Sequence, residues 1–343
     1  MKKKVAVLFG GQSTEHEVSR VSASSVLRNI NQSKYDIYPI GITKDGKWFE
    51  YTGSIDKIEN GEWEQDEYYK TPEGHRFLFN KEVDVVFPVL HGLYGEDGTI
   101  QGLCKLLKLP CVGPGVMSSA VCMDKIYTKY LLERFGIKQA EYVVIKAYEY
   151  TENEEKTMDK IESNLHYPVF IKPANSGSSV GITKAHNREE LRIGLSEALR
   201  HDRKVLIERG LNAREVEVAV LGNDYPKAAV PGEIIPAKEF YDYEAKYQNE
   251  ASKLLIPAAL SEEKLESIKE IAIKVYKILD CAGMARVDFL VDKDTEEAYL
   301  NEVNTIPGFT KISMYPKMWQ ASGKSYSDLI DALIELAFER NNN

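Results

Sequence analysis

The sequence predicts a protein that combines α/β with α+β structure, in two or three domains packed around a cleft. Three observations lead to this prediction: the length of the chain, a strand–loop–helix pattern that occurs twice in the first third, and a hairpin pattern near the carboxyl end. The chain has 343 residues, more than one domain usually contains. Hydrophobic residues make up 43% and charged residues 28%, an ordinary globular composition that allows a large core.

The first strand–loop–helix unit begins at the amino end. Residues 5–11, VAVLFGG, are typical of a buried strand that ends in glycines, and Thr14 and Glu17 after it have capping-box spacing for a helix. Such a loop lies at the carboxyl end of a parallel strand, where open α/β sheets bind ligands. Glu15 is therefore a candidate binding residue, although a carboxylate here could equally stabilise the helix dipole. The glycines do not match the GxGxxG fingerprint of dinucleotide sites.

A second unit of the same type follows a polar, aromatic segment. Residues 43–80 are rich in Lys, Glu, Trp and Tyr and contain several turn signals, which predicts a surface insertion. A strand pattern over residues 83–90 then leads into a glycine-rich loop that carries His91 and Glu96. A single histidine is often structural, but its position at a strand end makes His91 a second candidate for ligand binding.

The middle of the chain supplies lysines and a loop of small residues. A predicted helix carries Lys125, and a strand pattern ends at Lys172, just before the loop at residues 175–181. The backbone N–H groups of such a loop can approach phosphate oxygens. The loop is not a P-loop, because GxxxxGK[ST] is absent and the lysine precedes the glycines. Its place between two strand patterns predicts a flap over a ligand, and the strand at residues 204–211 adds the carboxylate of Glu208.

A long connection precedes the last third of the chain. Residues 231–257 are polar and aromatic, and they include Lys246 and Tyr247. Connections of this length are usually lids or binding loops, so the segment is predicted to be a mobile lid. The following residues, 261–280, predict an amphipathic helix with one apolar stripe.

Residues 285–310 predict two short strands joined by a polar turn. Because side chains alternate along a strand, each strand presents three side chains on one face: Arg286, Asp288 and Leu290 on the first, and Leu300, Glu302 and Asn304 on the second. A turn centred near Thr295 places Asp288 opposite Glu302 and Arg286 opposite Asn304. Oxygen ligands without His or Cys suit a hard cation such as magnesium. The hairpin is therefore predicted to form half of a nucleotide–metal site, with a solvated acidic hairpin as the alternative.

Charge and cysteine usage exclude several classes of protein. A net charge of -9 argues against non-specific binding to nucleic acid, which needs basic patches. The four cysteines lack CxxC spacing and are too few for a disulfide scaffold, which predicts reduced, partly buried thiols and a cytoplasmic location. Only the apolar run at residues 5–9 follows the amino-terminal lysines, too short for a signal peptide or a membrane span.

Seen together, the motifs identify a family. The sequence resembles the D-alanine:D-alanine ligases, which are ATP-grasp carboxylate–amine ligases, in seven segments that occur in the same order: GGQSTEHEVS, HGLYGEDG, MDK, KPANSGSSVG, FYDYEAKY, GMARVDF and NEVNTIPGFT. The resemblance covers nearly the whole chain, and seven ordered motifs are highly specific. Another ATP-grasp ligase would share the hairpin and the lysines but would not need Glu15 together with YDYEAKY. A small-molecule binding protein would leave the metal-competent hairpin unexplained.

The resemblance implies a fold of three parts. An N-terminal Rossmann-like domain, at residues 1–122, is followed by a two-lobed ATP-grasp with a central lobe at 123–212 and a C-terminal lobe with the metal site at 213–343. ATP is expected between the two lobes, with D-alanine facing the first domain. The resemblance also implies a cytoplasmic homodimer.

The resemblance implies a two-step reaction. ATP phosphorylates the carboxylate of one D-alanine, and the amine of a second D-alanine attacks the D-alanyl phosphate, which gives D-alanyl-D-alanine for peptidoglycan precursors. The expected cofactors are ATP and two Mg²⁺ ions, with Mn²⁺ as a substitute. The alternative is a relative that uses D-serine or D-lactate as the second substrate. Tyr247 and the apolar Met314 favour D-alanine.

The resemblance also assigns site residues. The expected ATP-binding residues are Lys125, Lys172, Ser178, Ser179, Glu208, Leu211, Glu215 and Lys246, and the expected metal ligands are Asp288, Glu302 and Asn304. Glu15 is expected to hold the first ammonium group with help from Ser178 and Tyr247, near His91. Arg286 and the Gly308 N–H group are expected to stabilise the oxyanion, and Ser313, beside Met314, to receive the second carboxylate.

Overall fold

The computed structural model describes residues 2–177, 180–235 and 253–341. Ser178 and Ser179 of the predicted flap lie outside these ranges, as do Lys246, Tyr247 and most of the predicted lid. The predictions for those residues therefore remain predictions.

The amino-terminal part is built on one five-stranded sheet. Its strands are β1 (Lys3–Gly10), β2 (Tyr35–Ile42), β3 (Trp48–Tyr51), β4 (Lys70–Pro72) and β5 (Val85–Pro88), in the order β4-β3-β2-β1-β5. The helices of this part are α1 (His16–Asn29), α2 (Ile55–Asn60), α3 (Arg76–Phe79), α4 (Thr99–Leu107) and α5 (Val116–Met123), with 3-10 turns at Glu62–Gln65 and Glu67–Tyr69. Strand β1 is parallel to both β2 and β5, as the strand–loop–helix patterns predict. The loops after β1 and β5 therefore meet at one sheet edge.

The segment at residues 43–80 is not the surface insertion that its composition predicts. Strands β3 and β4 extend the amino-terminal sheet by antiparallel pairing, and Tyr51 and Trp63 are fully buried. The Trp63 ring packs edge-on against Phe9 of β1, with 5.0 Å between the ring centroids. The prediction was wrong because the few apolar residues of the segment are large, and a few large rings can fill a core when the average composition is polar.

This packing predicts a large effect at Gly41. A Cβ atom at Gly41 would lie 2.4 Å from the Trp63 ring and 2.8 Å from the Phe9 ring. Gly41→Ala is therefore expected to lower the free energy of unfolding by about 1 to 3 kcal/mol, the usual cost of overpacking. The matched control is Gly102→Ala in α4, where a Cβ would meet no atom within 4 Å. Denaturant unfolding should leave the control unchanged or stabilised by up to about 1 kcal/mol, and equal midpoints for the two variants would contradict the packing.

A four-stranded sheet forms the central part. Its strands are β6 (Tyr142–Lys146), β7 (Val169–Pro173), β8 (Thr183–Ala185) and β9 (Lys204–Arg209), in the order β6-β9-β7-β8, and every neighbouring pair is antiparallel. The helices are α6 (Lys125–Arg134), α7 (Ala147–Glu152), α8 (Glu154–Glu162) and α9 (Arg188–His201). The predicted loop of small residues connects β7 to β8, so it links two paired strands of this sheet as the sequence predicts.

The carboxyl-terminal part contains the third sheet. Its strands are β10 (Ala213–Gly222), β11 (Lys227–Ala228), β12 (Gly232–Ile235), β13 (Lys253–Leu255), β14 (Gly283–Asp292) and β15 (Ala298–Asn304), in the order β13-β12-β10-β14-β15 with β11 beside β10. The helices are α10 (Glu262–Ile278), α11 (Met314–Ala321) and α12 (Tyr326–Asn341). The apolar stripe of α10 is buried, as predicted.

The largest core joins the two ends of the chain. Buried residues of β1 and β5 pack in one cluster with buried residues of α11 and α12, and the Lys34 ammonium lies 2.5 Å from the Asp331 carboxylate of α12. The last helix contacts both β5 of the amino-terminal sheet and β14 of the carboxyl-terminal sheet. Each of the three sheets nevertheless draws its strands from one of the three predicted segments.

Candidate active site

Residues from all three parts of the chain line one cleft, with a volume of about 1250 Å³; the amino-terminal part contributes through the segments that follow β1 and β5. Every predicted site residue that the structure describes lines this cleft: Glu15, His91, Lys125, Lys172, Glu208, Leu211, Glu215, Arg286, Asp288, Glu302, Asn304, Gly308, Ser313 and Met314. The described part of the chain thus brings together residues almost 300 positions apart in sequence. Their individual roles stay predictions.

The hairpin has the predicted register at the end that carries Arg286 and Asp288. Strands β14 and β15 pair so that Asp288 lies opposite Glu302 and Arg286 opposite Asn304. On the other side of β14, Glu217 of β10 lies opposite Asp288, and Glu215 lies two residues further along the same strand. One face of the sheet therefore presents four carboxylates and a guanidinium to the cleft.

A β-bulge corrects one part of this prediction. The register shifts between Asp288 and Phe289, so Leu300 pairs with Phe289 and Asn301 becomes the extra residue. Leu300 is consequently buried in the apolar core rather than sharing a face with Glu302. Bulges re-aim side chains next to binding sites, and here Asn301 lines the cleft and accepts a hydrogen bond of 3.2 Å from the Lys172 ammonium. Strict alternation could not identify Asn301 as a site residue.

The hairpin offers oxygen donors for a divalent cation. The candidate ligands are the carboxylates of Asp288 and Glu302 and the amide of Asn304, and the Asn304 amide nitrogen donates a 2.8 Å hydrogen bond to Asp288. In the described ranges, no group of three or more His, Cys, Asp or Glu side chains is arranged to hold a metal. Two carboxylates and an amide fit magnesium, which usually takes few protein ligands and completes its shell with phosphates and waters.

Arg286 is held tightly by its neighbours. Its guanidinium donates two hydrogen bonds, of 2.8 and 2.7 Å, to the two carboxylate oxygens of Asp288, and its Nε lies 3.1 Å from Glu217. Burial by itself would lower the pKa of Arg286, but the charges of Asp288 and Glu217 outweigh it and raise that pKa well above its usual value. Arg286 is therefore a fixed positive charge inside the cleft.

Glu15 stands where the loops of two sheets converge. Helix α1 begins at His16 with Glu15 as its N-cap and no side-chain hydrogen bond at the cap, so the capping box predicted from Thr14 and Glu17 is wrong. The Glu15 carboxylate is buried, and a Cβ added at Gly92 or Gly177 would lie 2.5 or 2.3 Å from its Oε2 atom. Glycines at both positions therefore let the two loops close around this carboxylate.

His91 and Glu96 connect the amino-terminal loop to the segment after β15. The two ring nitrogens of His91 lie 3.0 Å from the Ile306 carbonyl and 3.0 Å from the Ser22 hydroxyl, and burial lowers the pKa of His91 to about 4. The Glu96 carboxylate accepts hydrogen bonds from the backbone N–H groups of Gly92 and Ile306, at 2.8 and 3.0 Å. Burial and the neighbouring charge of Glu15 raise the pKa of Glu96 to about 8. Both side chains thus position the backbone at the end of the cleft where Glu15 lies.

Lys125 is aimed into the cleft by the start of α6. The Asp124 carboxylate caps this helix by accepting hydrogen bonds from two backbone N–H groups, and it also pairs with Lys204. The Lys125 ammonium donates a 2.6 Å hydrogen bond to the Ser176 carbonyl and lies 3.9 Å from the Glu302 carboxylate. It therefore bridges the loop of small residues and the candidate metal ligands, which suits a phosphate-binding lysine.

Glu208 lies between two lysines at the far end of the cleft. Its carboxylate is 2.6 Å from the Lys172 ammonium and 2.6 Å from the ammonium of Lys129. Burial alone would raise the pKa of Glu208, but the charges of Lys129 and Lys172 lower it to about 2. Sequence reasoning missed Lys129, although its position one helical turn after Lys125 was a usable signal.

The walls beside Glu208 suit a flat aromatic base. The cleft there is lined by apolar side chains and by the backbone of the connection from β9 to β10: Ala140, Pro168, Phe170, Ile182, Gly210, Leu211 and Phe289. Leu211 and Glu215 also line the cleft, and Glu215 lies on the sheet face that carries the candidate metal ligands. Ligand pockets commonly combine apolar walls with a few fixed polar groups in this way.

The opposite end of the cleft contains a tight polar turn. The Ser313 hydroxyl accepts a 3.0 Å hydrogen bond from the Thr310 N–H group and lies 2.8 Å from the Thr310 hydroxyl. A Cβ at Gly308 would lie 2.8 Å from the Ser313 hydroxyl oxygen, so the turn needs glycine there. Met314 is buried in the largest core and contacts Gly232, which places an apolar wall behind Ser313.

Fold and cleft together define the class of the protein as an ATP-grasp ligase. The sequence matches two family models, the D-ala D-ala ligase N-terminus over residues 4–114 and the D-ala D-ala ligase C-terminus over residues 131–335. It is 76% identical over 342 residues to the D-alanine–D-alanine ligase of Clostridium novyi and equally to that of Clostridium acetobutylicum, with 100% of each chain covered. The chain therefore belongs to the D-alanine–D-alanine ligase family, and the family prediction is confirmed.

Solved structures agree with this assignment. The VanG D-Ala:D-Ser ligase from Enterococcus faecalis superposes with a TM-score of 0.88 and is 43% identical, covering 98% of this chain and 100% of its own. The D-alanine–D-alanine ligase from Coxiella burnetii superposes with a TM-score of 0.86 and is 37% identical, covering 99% of this chain and 95% of its own. The predicted fold class is thereby confirmed.

The cysteines and the helices bear on two further features of the composition. All four cysteines are free and buried, as their spacing indicates. Across residues 2–177, 180–235 and 253–341, no helix combines the length and apolar character needed to cross a bilayer.

Proposed function

We propose that this protein joins two D-alanine molecules into D-alanyl-D-alanine at the expense of ATP, through a D-alanyl phosphate. The observation that carries the proposal is that Glu15, Lys125 and the hairpin residues Asp288 and Glu302 line one cleft, where they could bind an ammonium group, a phosphate and a divalent ion. Membership of the D-alanine–D-alanine ligase family supports the same substrates.

ATP is proposed to lie between the central and carboxyl-terminal sheets. Its base fits the apolar slot beside Glu208 and Leu211, and its phosphates then extend towards Lys125. Asp288, Glu302 and Asn304 would hold divalent ions, for which we propose two Mg²⁺ per site with Mn²⁺ as a substitute. A bound ion would neutralise the β- and γ-phosphate charge during transfer. The protein side of the site contributes Lys125, which already lies 3.9 Å from Glu302.

The substrates are proposed to occupy the end of the cleft nearest the amino-terminal sheet. Glu15 is a buried carboxylate, and it can bind the ammonium group of the first D-alanine. Arg286 and the Gly308 N–H group would face the oxygen that becomes negative when the second amine attacks the acyl phosphate. Ser313 would hold the second carboxylate. The carboxylate of the first D-alanine must be phosphorylated because a carboxylate is a poor electrophile, and the phosphate then serves as the leaving group.

D-alanine is the favoured second substrate. Relatives of 76% identity are D-alanine–D-alanine ligases, and the wall behind Ser313 is the apolar Met314. The structurally similar Enterococcus faecalis protein is a D-Ala:D-Ser ligase, so overall fold does not decide the second substrate. Competition among equimolar D-alanine, D-serine and D-lactate, followed by mass analysis of the products, tests this choice directly.

The proposed function is tested by measuring phosphate release from ATP and Mg²⁺ with and without D-alanine. We expect release that depends on D-alanine and matches the dipeptide formed, one phosphate per dipeptide. Release that is independent of D-alanine would point to another ATP-grasp reaction. Homodimerisation in the cytoplasm also remains part of the proposal, and light scattering of the purified protein measures the assembly.

A further inference from the structure

Lys129 is a buried lysine that has no role in the proposed reaction. It is buried in α6 with only 2% of its surface exposed, and it does not line the cleft. Burying an ammonium group is costly unless it is paired, so a lysine at this depth needs a reason. Its neighbours are the Glu208 carboxylate, 2.6 Å away, and the face of the Tyr142 ring, 5.1 Å from its Nζ atom.

Glu208 has one lysine on its cleft side and a second lysine on the side that faces the protein interior. Lys172 pairs with Glu208 from inside the cleft, and Lys129 gives the same buried carboxylate a second cation from the protein side. The two lysines approach different oxygens: Lys129 lies beside Oε1 and Lys172 beside Oε2. One carboxylate has about four acceptor positions, so each oxygen keeps capacity for a further donor. The carboxylate is therefore fixed from both sides while Glu208 still lines the cleft.

A carboxylate kept ionised can only accept hydrogen bonds. The 6-amino group of adenine is a donor, whereas 6-oxopurines present an acceptor oxygen at that position. A protonated Glu208 could donate to the 6-oxo oxygen, and a mobile Glu208 could turn away from it.

We propose that Lys129 is a positioning residue that keeps Glu208 ionised and oriented towards the 6-amino group of the nucleotide, and that it thereby sets the preference for adenine over 6-oxopurines. This inference rests on the proposed function, in which Glu208 meets the base of ATP. The competing explanation is that the Lys129–Glu208 pair only attaches α6 to β9. A purely structural pair would change stability without changing the choice of nucleotide.

The test compares ATP with inosine triphosphate, which carries a 6-oxo group in place of the 6-amino group. For Lys129→Met we expect kcat/KM with ATP to fall by roughly 10- to 100-fold, the range for hydrogen bonds to charged groups, and that with inosine triphosphate to fall much less. Both kcat/KM values are measured on one preparation, so a partial loss of folded protein lowers both equally and leaves their ratio unchanged. Lys129→Arg, which keeps the charge, should restore most of the ratio, and KM for D-alanine should stay unchanged.

Controls distinguish a specific effect of Lys129 from a general effect of removing a buried lysine and from misfolding. Lys70→Met removes another largely buried lysine, one in β4 that does not line the cleft, and it should leave the nucleotide ratio unaltered. If Lys129→Met does not fold, Lys129→Gln, which retains a hydrogen-bond donor without the charge, replaces it in the same assay. An unchanged ratio in either uncharged variant would overturn the proposal. A wild-type protein without D-alanine-dependent phosphate release would instead overturn the proposed function.

Discussion

Arg286→Ala is expected to lower kcat for dipeptide formation by roughly 100- to 1000-fold, about 3 to 4 kcal/mol of transition-state stabilisation. The reason is that Arg286 is a cation held in place in the cleft by Asp288 and Glu217, and the negative charge it is proposed to face develops only after the acyl phosphate forms. Steady-state kinetics should show the loss in kcat, with a much smaller change in KM for ATP.

Two further variants make the Arg286 experiment specific. Arg286→Lys keeps the positive charge but cannot make both hydrogen bonds to Asp288, so it should lie between wild type and Arg286→Ala. Arg200→Ala removes an exposed arginine of α9 that pairs with Glu197, and it should behave as wild type. A change in KM for ATP alone after Arg286→Ala would show that the arginine serves nucleotide binding instead of the oxyanion.

Glu302→Gln is expected to lower turnover by at least roughly 100-fold while the free energy of unfolding changes little, because a divalent ion contributes several kcal/mol and needs charged ligands. Glu302 is part of the hairpin pair with Asp288 and lies near Lys125, so its amide analogue keeps the size of the side chain and removes the charge. Turnover measured across a series of Mg²⁺ concentrations should show a higher half-saturating concentration.

The matched control is Glu297→Gln. Glu297 immediately precedes β15 and pairs with Lys138, and it does not line the cleft. Each variant loses one carboxylate, and the two positions are close together in sequence, but only Glu302→Gln loses a candidate metal ligand. Ordinary activity of Glu302→Gln at ordinary Mg²⁺ concentration would refute the assignment of the metal site.

Local patterns predict the hairpin well and its irregularity poorly. The register of Asp288 with Glu302 follows from alternation and a polar turn, which are both local in sequence. The bulge at Asn301 depends on packing, since Leu300 is drawn into a core that α10 and β10 help to build. No pattern within the hairpin contains that information.

Long-range partners account for most of the remaining site. The Glu208–Lys129 pair joins a helix to a strand about 80 residues later, and Glu96 reaches the Ile306 backbone across 210 residues. Motif resemblance could place Glu208 in the cleft, but it does not say what neutralises a buried carboxylate. The error over residues 43–80 has the same origin, because only the folded sheet shows that Trp63 packs on Phe9.

The transfer of ¹⁸O from the D-alanine carboxylate to phosphate tests whether the reaction passes through a D-alanyl phosphate. In the proposed reaction a carboxylate oxygen of the first D-alanine attacks the γ-phosphorus of ATP, and the C–O bond of the acyl phosphate breaks when the second amine attacks. With D-alanine labelled by ¹⁸O in its carboxylate, we expect one labelled oxygen in each phosphate released, observed by mass spectrometry or by ³¹P resonance shifts. Unlabelled phosphate released together with the dipeptide would contradict a D-alanyl phosphate and the site built around it.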